Sequence, residues 1–338
     1  MAGRHEPADW SAAGVRAFLA GYCRRPRDLA VSELTGGMEN RNLLVEADGE
    51  RLVLRRYDAT PPEETPWELA LLRFLTDRGF PTARLVEKVD AALAGTLGGK
   101  PAALFSFVAG QHPSPDTPGM AEQAAAVIAR LHAVTGGLTL PYPRSRMDSR
   151  QRLARFLDWL AERDHWRQEQ ALARFAAQVE EYAAAFAARL APYAATLPHG
   201  VVHNDAHAGN LLCDDAGRLV ALLDFDDAHE TYLLADVAML LDVWATDRAS
   251  HRVMSARTTE VLRAYARHRQ LCSAEWDLLP DFLALYSLAD ATSYVSSRVQ
   301  RGVSADRVLA DCNQYGRYLE RTAMPDWRDQ LRAALNVQ

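Results

Sequence analysis

The sequence predicts an α+β protein of two lobes, a small antiparallel strand-rich N-terminal lobe and a larger, mainly helical C-terminal lobe. Three observations predict it. At 338 residues the chain is longer than one hydrophobic core usually serves. Strand signals concentrate in residues 28–108, most clearly in NLLVEADGERLVLRRY. From about residue 120 alanine-rich amphipathic stretches dominate, at 121–134, 150–164, 167–192 and from 256 to the end. The expected boundary follows the strand run PAALFSFVAG, where the pattern turns Pro-rich, giving lobes of 1–108, with an N-terminal helix, and 109–338.

Each element has a local cause. In NLLVEADGERLVLRRY two β-rich runs flank Asp48-Gly49, a dipeptide suited to a tight hairpin turn, so the strands are antiparallel. TPWELALLRFLTDRG then offers Thr65 as N-cap, Pro66 at the first helical position, Glu68 to close a capping box, apolar Leu71, Leu72 and Leu75, and a terminating Gly79. RLVEKV and PAALFSFVAG supply further strands. GTLGGKP between them is no phosphate-binding P-loop, because Pro follows Lys100 and no helix begins there. Among the later helices, Leu197 to Leu234 reads as an inserted loop–strand–turn–strand segment.

Bulk composition narrows the function. With 49% hydrophobic and 24% charged residues the chain reads as a soluble globular protein. Its 38 basic residues against 44 acidic, formal charge -6, include no long basic run, which excludes a nucleic-acid or polybasic membrane surface and favours a small-molecule partner. Cys23, Cys213, Cys272 and Cys312 form no C-x-x-C pair, as expected of a reducing, cytoplasmic setting. No apolar run is long enough to cross a bilayer, and a monomer or homodimer is expected.

The inserted segment carries the chemistry. Between Val201 and Leu240 stand eight acids and one base, Arg218. Asp214 and Asp215 suit a solvated turn, but Asp224 ends the apolar run LVALLD, where an uncompensated carboxylate is costly. Phosphoryl transfer needs a carboxylate to orient the attacking hydroxyl, oxygen ligands for Mg²⁺ and a cation on the nucleotide phosphates. Asp205 fits the first role, Asn210 and Asp224 the second, and Arg55, on one strand face with Val53, the third. A competing reading makes His203, Asp205 and His207 the transition-metal ligands of a hydrolase, and leaves Asn210, Asp224 and Arg55 unexplained. A third, a catalytically dead binding module, sits poorly with the presence of all three oxygen-bearing residues.

On these residues the chain resembles the aminoglycoside phosphotransferase/choline kinase superfamily, which has a bilobal protein-kinase-like fold, over nearly its whole length. HNDAHAGNLL matches the catalytic loop with Asp205 and Asn210 in role positions, LLDFDDA the metal-binding strand end at Asp224, and YLLADVAMLL the helix start at Asp236. Within the superfamily, LTGGMENRNLLVEADGERLVLRRYD and LPHGVVHNDAHAGN look most like type II homoserine kinases, although Asn204 stands where Gly is common and His207-Ala208-Gly209 replaces Phe-Pro-Asp.

The resemblance implies ATP and Mg²⁺ as cofactors and transfer of the γ-phosphoryl group to an alcohol. Gly36, Gly37, Asn40 and Asn42 would belong to the phosphate-covering loop, and Phe105, Ser106, Phe107 and Val108 to the adenine-binding hinge. Glu68 would pair with Arg55 or be used in its capping box. His203 and Asp236 would be structural, and His132 a packed helix residue. Acceptor contacts would come from Asp226, Asp227, His207, His229 or Asp290. The expected acceptor is homoserine or another amino alcohol; the alternative is an antibiotic, sugar or nucleoside natural product.

Overall fold

The computed structural model describes residues 10–34, 40–144 and 148–323. These divide into two compact units, one from the described residues of 1–113, 138–145 and 209–226, the other from those of 114–137, 146–208 and 227–338.

The first unit opens with helix α1 (Ala12–Ala20), capped by the Ser11 hydroxyl accepting from the Gly14 N–H. Strands β1 (Leu29–Leu34), β2 (Arg41–Ala47) and β3 (Glu50–Arg56) follow, then helix α2 (Thr65–Asp77) and strands β4 (Gly95–Leu97) and β5 (Lys100–Ser106). The five strands make one antiparallel sheet in the order β1-β2-β3-β5-β4. Asp48 and Gly49 both have positive φ, 49° and 83°, as the two-residue hairpin between β2 and β3 requires. Leu43, Val45, Leu52, Leu54 and Leu104 join Val15, Phe18 and Leu19 of α1 in the core of this unit. Strand alternation turns Val53 and Arg55 to the other face.

Two local expectations are corrected. RLVEKV forms no strand: Leu85 makes an isolated bridge to Phe105, and single backbone bonds run from Val86 to Leu104 and from Ser106 to Arg84. Thr65 does not cap α2. The N-cap is Glu64, whose side chain makes no capping hydrogen bond, and Thr65 Oγ1 is buried with no hydrogen-bond partner among the described residues.

The second unit holds helices α3 (Met120–Val134), α4 (Ser149–Ala161) and α5 (Gln170–Leu190), then strand β6 (His199–Val202). The chain next contributes the hairpin of β7 (Leu211–Cys213) and β8 (Leu219–Leu222) to the first unit, and returns with β9 (His229–Tyr232), which pairs with β6. The inserted segment thus contains four short strands in two pairs. Helices α6 (Leu234–Trp244), α7 (Ser255–Ala266), α8 (Ser273–Gln300), α9 (Ala305–Ala310) and α10 (Asn313–Ala323) complete the unit. The long α8 packs against α4, α5, α6, α9 and α10, so it is the central helix. Among the described residues no helix is long and apolar enough to cross a membrane.

Candidate functional site

A cavity of about 340 Å³ lies in the first unit, and every described residue lining it belongs to that unit. This is within the size range of small-molecule sites. Its walls are set by strand register. Asn42 and Arg55 are direct partners across β2 and β3, and Val53 is opposite Phe105 across β3 and β5. The β7–β8 hairpin pairs Leu211 with Leu222, and the Leu223 N–H donates to the Asn210 carbonyl at 2.8 Å, which brings Asn210 beside the end of the apolar run. Asp224 then adopts a left-handed φ of 62°, a conformation that Asp tolerates better than most residues, and ends the extended run.

Most residues expected to handle nucleotide or metal meet here. Asn42, Arg55, Glu68, the stretch Phe105 to Val108, Asn210 and Asp224 all line the cavity. Gly36 and Gly37 lie outside the described residues. Asn40 does not face the cavity: its Nδ2 donates to Asp226 Oδ2 at 2.7 Å and its Oδ1 accepts from the Asp58 N–H at 2.9 Å.

A packed set of charges backs the cavity. Arg55 Nη2 lies 3.1 Å from Asp224 Oδ1 and 2.5 Å from Asp226 Oδ2, while its buried Nε has no hydrogen-bond partner among the described residues. Burial opposes the charge on Arg55, but Asp226, Glu68 and Asp224 outweigh it and raise its pKa. Glu68 is buried and accepts from the Tyr57 hydroxyl at 3.2 Å. Its Oε2, like Asp226 Oδ1, is buried without a hydrogen-bond partner among the described residues. Burial pushes its pKa up to about 8 against the pull of Arg55, and Asp226 adds to the rise. The local capping-box signature is overridden by this burial. Arg144 braces the same segment, donating to the carbonyls of Phe225 at 3.0 Å and Asp226 at 2.5 Å with its guanidinium over Trp67.

Asp224 and the buried Asn210 suit a magnesium ion. A carboxylate and a carboxamide are hard oxygen donors, both line one cavity, and the Asp224 side chain is 38% exposed, so a cation can reach it.

Asp205 belongs to the second unit, on a loop fixed from beneath. Asp236 Oδ2 accepts from the His203 N–H at 2.8 Å and Oδ1 from the Asn204 N–H at 2.7 Å. The same carboxylate meets His132 Nε2 at 2.9 Å, and His132 Nδ1 lies 2.6 Å from the Tyr265 hydroxyl, which also accepts from Arg269. His132, His203 and Asp236 are buried. Burial opposes the Asp236 charge, yet the hydrogen bond and charge of His132 and the His203 N–H hold its pKa below the usual carboxylate range. Asp236 is therefore a loop anchor and not the cap of α6, whose N-cap is Leu233. Asn204 has φ 66°, a left-handed conformation open to both Gly and Asn, which accounts for Asn at this position. The Asp205 side chain is 40% exposed.

Of the remaining candidates, Asp227 and Asp290 both act on the charge of Arg152, and Asp205 and Asp290 both act on Tyr286. His207 is exposed, with Nε2 3.5 Å from Asp205 Oδ2. His229 is buried, its Nδ1 2.8 Å from the Asp227 carbonyl. Asp290 pairs with Arg152 at 2.7 Å. Asp226 is engaged with Arg55, Asn40 and Glu68 in the first unit. Among the described residues no three His, Cys, Asp or Glu side chains form a metal-binding group, and His203 Nδ1 accepts from the Asp205 N–H at 3.2 Å. The transition-metal hydrolase reading is overturned by this geometry and by the family match below. Sequence reasoning missed Arg144 and the polar roles of His132 and Tyr265, which depend on partners distant in the chain.

Comparison with known proteins agrees. Residues 30–279 match the phosphotransferase enzyme family APH. The chain is 28% identical to a homoserine kinase of Caulobacter vibrioides, over 79% of this chain and 81% of the relative. It is 30% identical to a homoserine kinase of Pseudomonas aeruginosa, over 80% and 81%. Among solved structures it is similar to a microcompartment-associated aminopropanol kinase (TM-score 0.68, 19% identity, covering 95% of this chain and 98% of that one). It is also similar to the amicoumacin kinase hAmiN in complex with AMP-PNP, Ca²⁺ and Ami (TM-score 0.65, 17% identity, 98% and 97%). These two structures share the α+β fold described above. The chain belongs to the APH phosphotransferase family and is a small-molecule phosphotransferase.

Proposed function

We propose that this phosphotransferase is an ATP-dependent, magnesium-requiring kinase that transfers the γ-phosphoryl group to the hydroxyl of an amino alcohol, with homoserine the first candidate. The observation that carries the nucleotide half is the meeting of Arg55, Asn210 and Asp224 in one cavity with the Phe105 to Val108 strand end. Arg55, which lines the cavity and is always charged, binds the phosphates through its planar guanidinium. Asn210 and Asp224 hold magnesium, which when bound neutralises charge on the phosphates. Phe105 to Val108 border the base, and Asn42 lines the same cavity from β2, beyond Arg55. Asp205 orients the acceptor hydroxyl and takes its proton as the hydroxyl oxygen attacks the γ-phosphorus and the bond to the ADP oxygen breaks. Asp236, through the His203 and Asn204 N–H groups, keeps the Asp205 loop in place.

Support for homoserine comes from the relatives of that name and from the Asp290–Arg152 pair, one group of each sign, which suits an acceptor carrying both ammonium and carboxylate. The test is a coupled ADP-release screen over homoserine, aminopropanol, ethanolamine, choline, spectinomycin and gentamicin. Saturable turnover with homoserine and little with aminopropanol is expected. Preference for a substrate without a carboxylate overturns the homoserine assignment, and turnover with none of these alcohols counts against the amino-alcohol class.

A further inference from the structure

We infer that His112 is a nucleotide-specificity residue whose Nε2 accepts a hydrogen bond from a ribose hydroxyl. This rests on the nucleotide reading above. His112 is exposed and lines the same cavity, and it is held there by one contact of its own ring and by contacts of the two residues before it. Its Nδ1 lies 2.9 Å from the carbonyl of Leu211, the residue after Asn210. Gln111 and Cys213 exchange two backbone hydrogen bonds, both 2.9 Å. Gly110 sits so close to β7 that a Cβ there would stand 2.9 Å from the Cys213 carbonyl oxygen and 3.1 Å from Leu212 Cβ. The ring is thus fastened to the strand that begins beside a candidate metal ligand.

Those contacts determine its chemistry. A carbonyl only accepts, so Nδ1 carries the hydrogen, and in the neutral ring Nε2 is left as an acceptor. An acceptor repels phosphate oxygens and needs a donor. The cavity is apolar around Val53, Leu72 and Phe105, which suits a base, and charged at Arg55 and Asp224, which suits phosphates. The part of a nucleotide joining the two is the sugar, whose hydroxyls are donors. His112 therefore favours ribonucleotides over a deoxynucleotide lacking the hydroxyl it meets.

The experiment is calorimetric titration of the full chain, wild type and His112→Ala, with the magnesium complexes of ATP, 2′-deoxyATP and 3′-deoxyATP. Wild type is expected to bind ATP about three- to tenfold more tightly than one of the two deoxynucleotides, as a single hydrogen bond allows. His112→Ala loses that factor for ATP and binds the same deoxynucleotide as wild type does. Should His112→Ala not fold, His112→Phe keeps the ring's bulk without its nitrogens and is read the same way. Equal weakening of all three nucleotides in the variant marks a structural role and overturns the inference, as does discrimination that survives the substitution. Wild-type binding of all three without discrimination overturns this inference alone; binding of none overturns the nucleotide reading with it.

Discussion

The charge cluster around Arg55 and the loop platform around Asp236 solve opposite problems. In the first unit Arg55, Asp224, Asp226 and Glu68 are balanced against one another, with Asp224 partly exposed and Glu68 raised by burial and by Asp226. On the proposed function such a set redistributes when an anion and a cation arrive together, because Arg55 already divides its charge between Asp224 and Asp226. In the second unit the Asp236 carboxylate is buried among fixed backbone N–H groups and His132, with no exposed charge to rearrange. In the proposed mechanism, binding rests on exchangeable ion pairs and positioning on a frame whose partners are fixed by the backbone.

Breaking the frame should cost most. Asp236→Ala strands the His203 and Asn204 N–H groups and His132, and is expected to lower stability by about 3–5 kcal/mol in urea denaturation, the range for removing one partner of a buried pair. A loss below 1 kcal/mol, on the order of a surface change, contradicts a rigid platform. Arg55→Ala in the exchangeable cluster should act on binding, raising the MgATP dissociation constant about tenfold or more by calorimetry. An unchanged constant removes Arg55 from the phosphate site.

A gentler change separates the regions by pH. Glu68 is raised from 4.5 to about 8, so between those values the folded chain keeps a proton that the unfolded chain has released. Its contribution to stability is full below about pH 4.5 and is lost as pH climbs toward about 8. Glu68→Gln should flatten that slope in denaturation series across the window, and an unaltered slope means Glu68 does not titrate there. Smallest of all, Thr65→Val should leave stability unchanged, whereas a true N-cap would lose about 1 kcal/mol.

What could be read from the sequence follows the same division. The Asp48-Gly49 hairpin, the alternation that puts Val53 and Arg55 on one face, and the Asn210 and Asp224 spacing are local, so periodicity and motif expose them. Thr65 and Glu68 carry a valid local capping signature, but burial beside Tyr57 and Asp226 draws Glu68 elsewhere. RLVEKV has strand composition yet makes only scattered backbone bonds to β5. His132, Tyr265 and Arg144 acquire their roles from residues far along the chain, and nothing in their neighbouring sequence marks those partners.

The division of labour is tested most directly by titrating MgATP into Asp205→Asn and Asp224→Ala, with and without Mg²⁺, while turnover of each is followed by ADP release. Asp205→Asn is expected to bind MgATP like the wild type while turnover falls about a hundredfold or more, and Asp224→Ala to lose the metal-dependent part of binding. Near-normal turnover of Asp205→Asn, or metal-dependent binding that survives Asp224→Ala, contradicts the account.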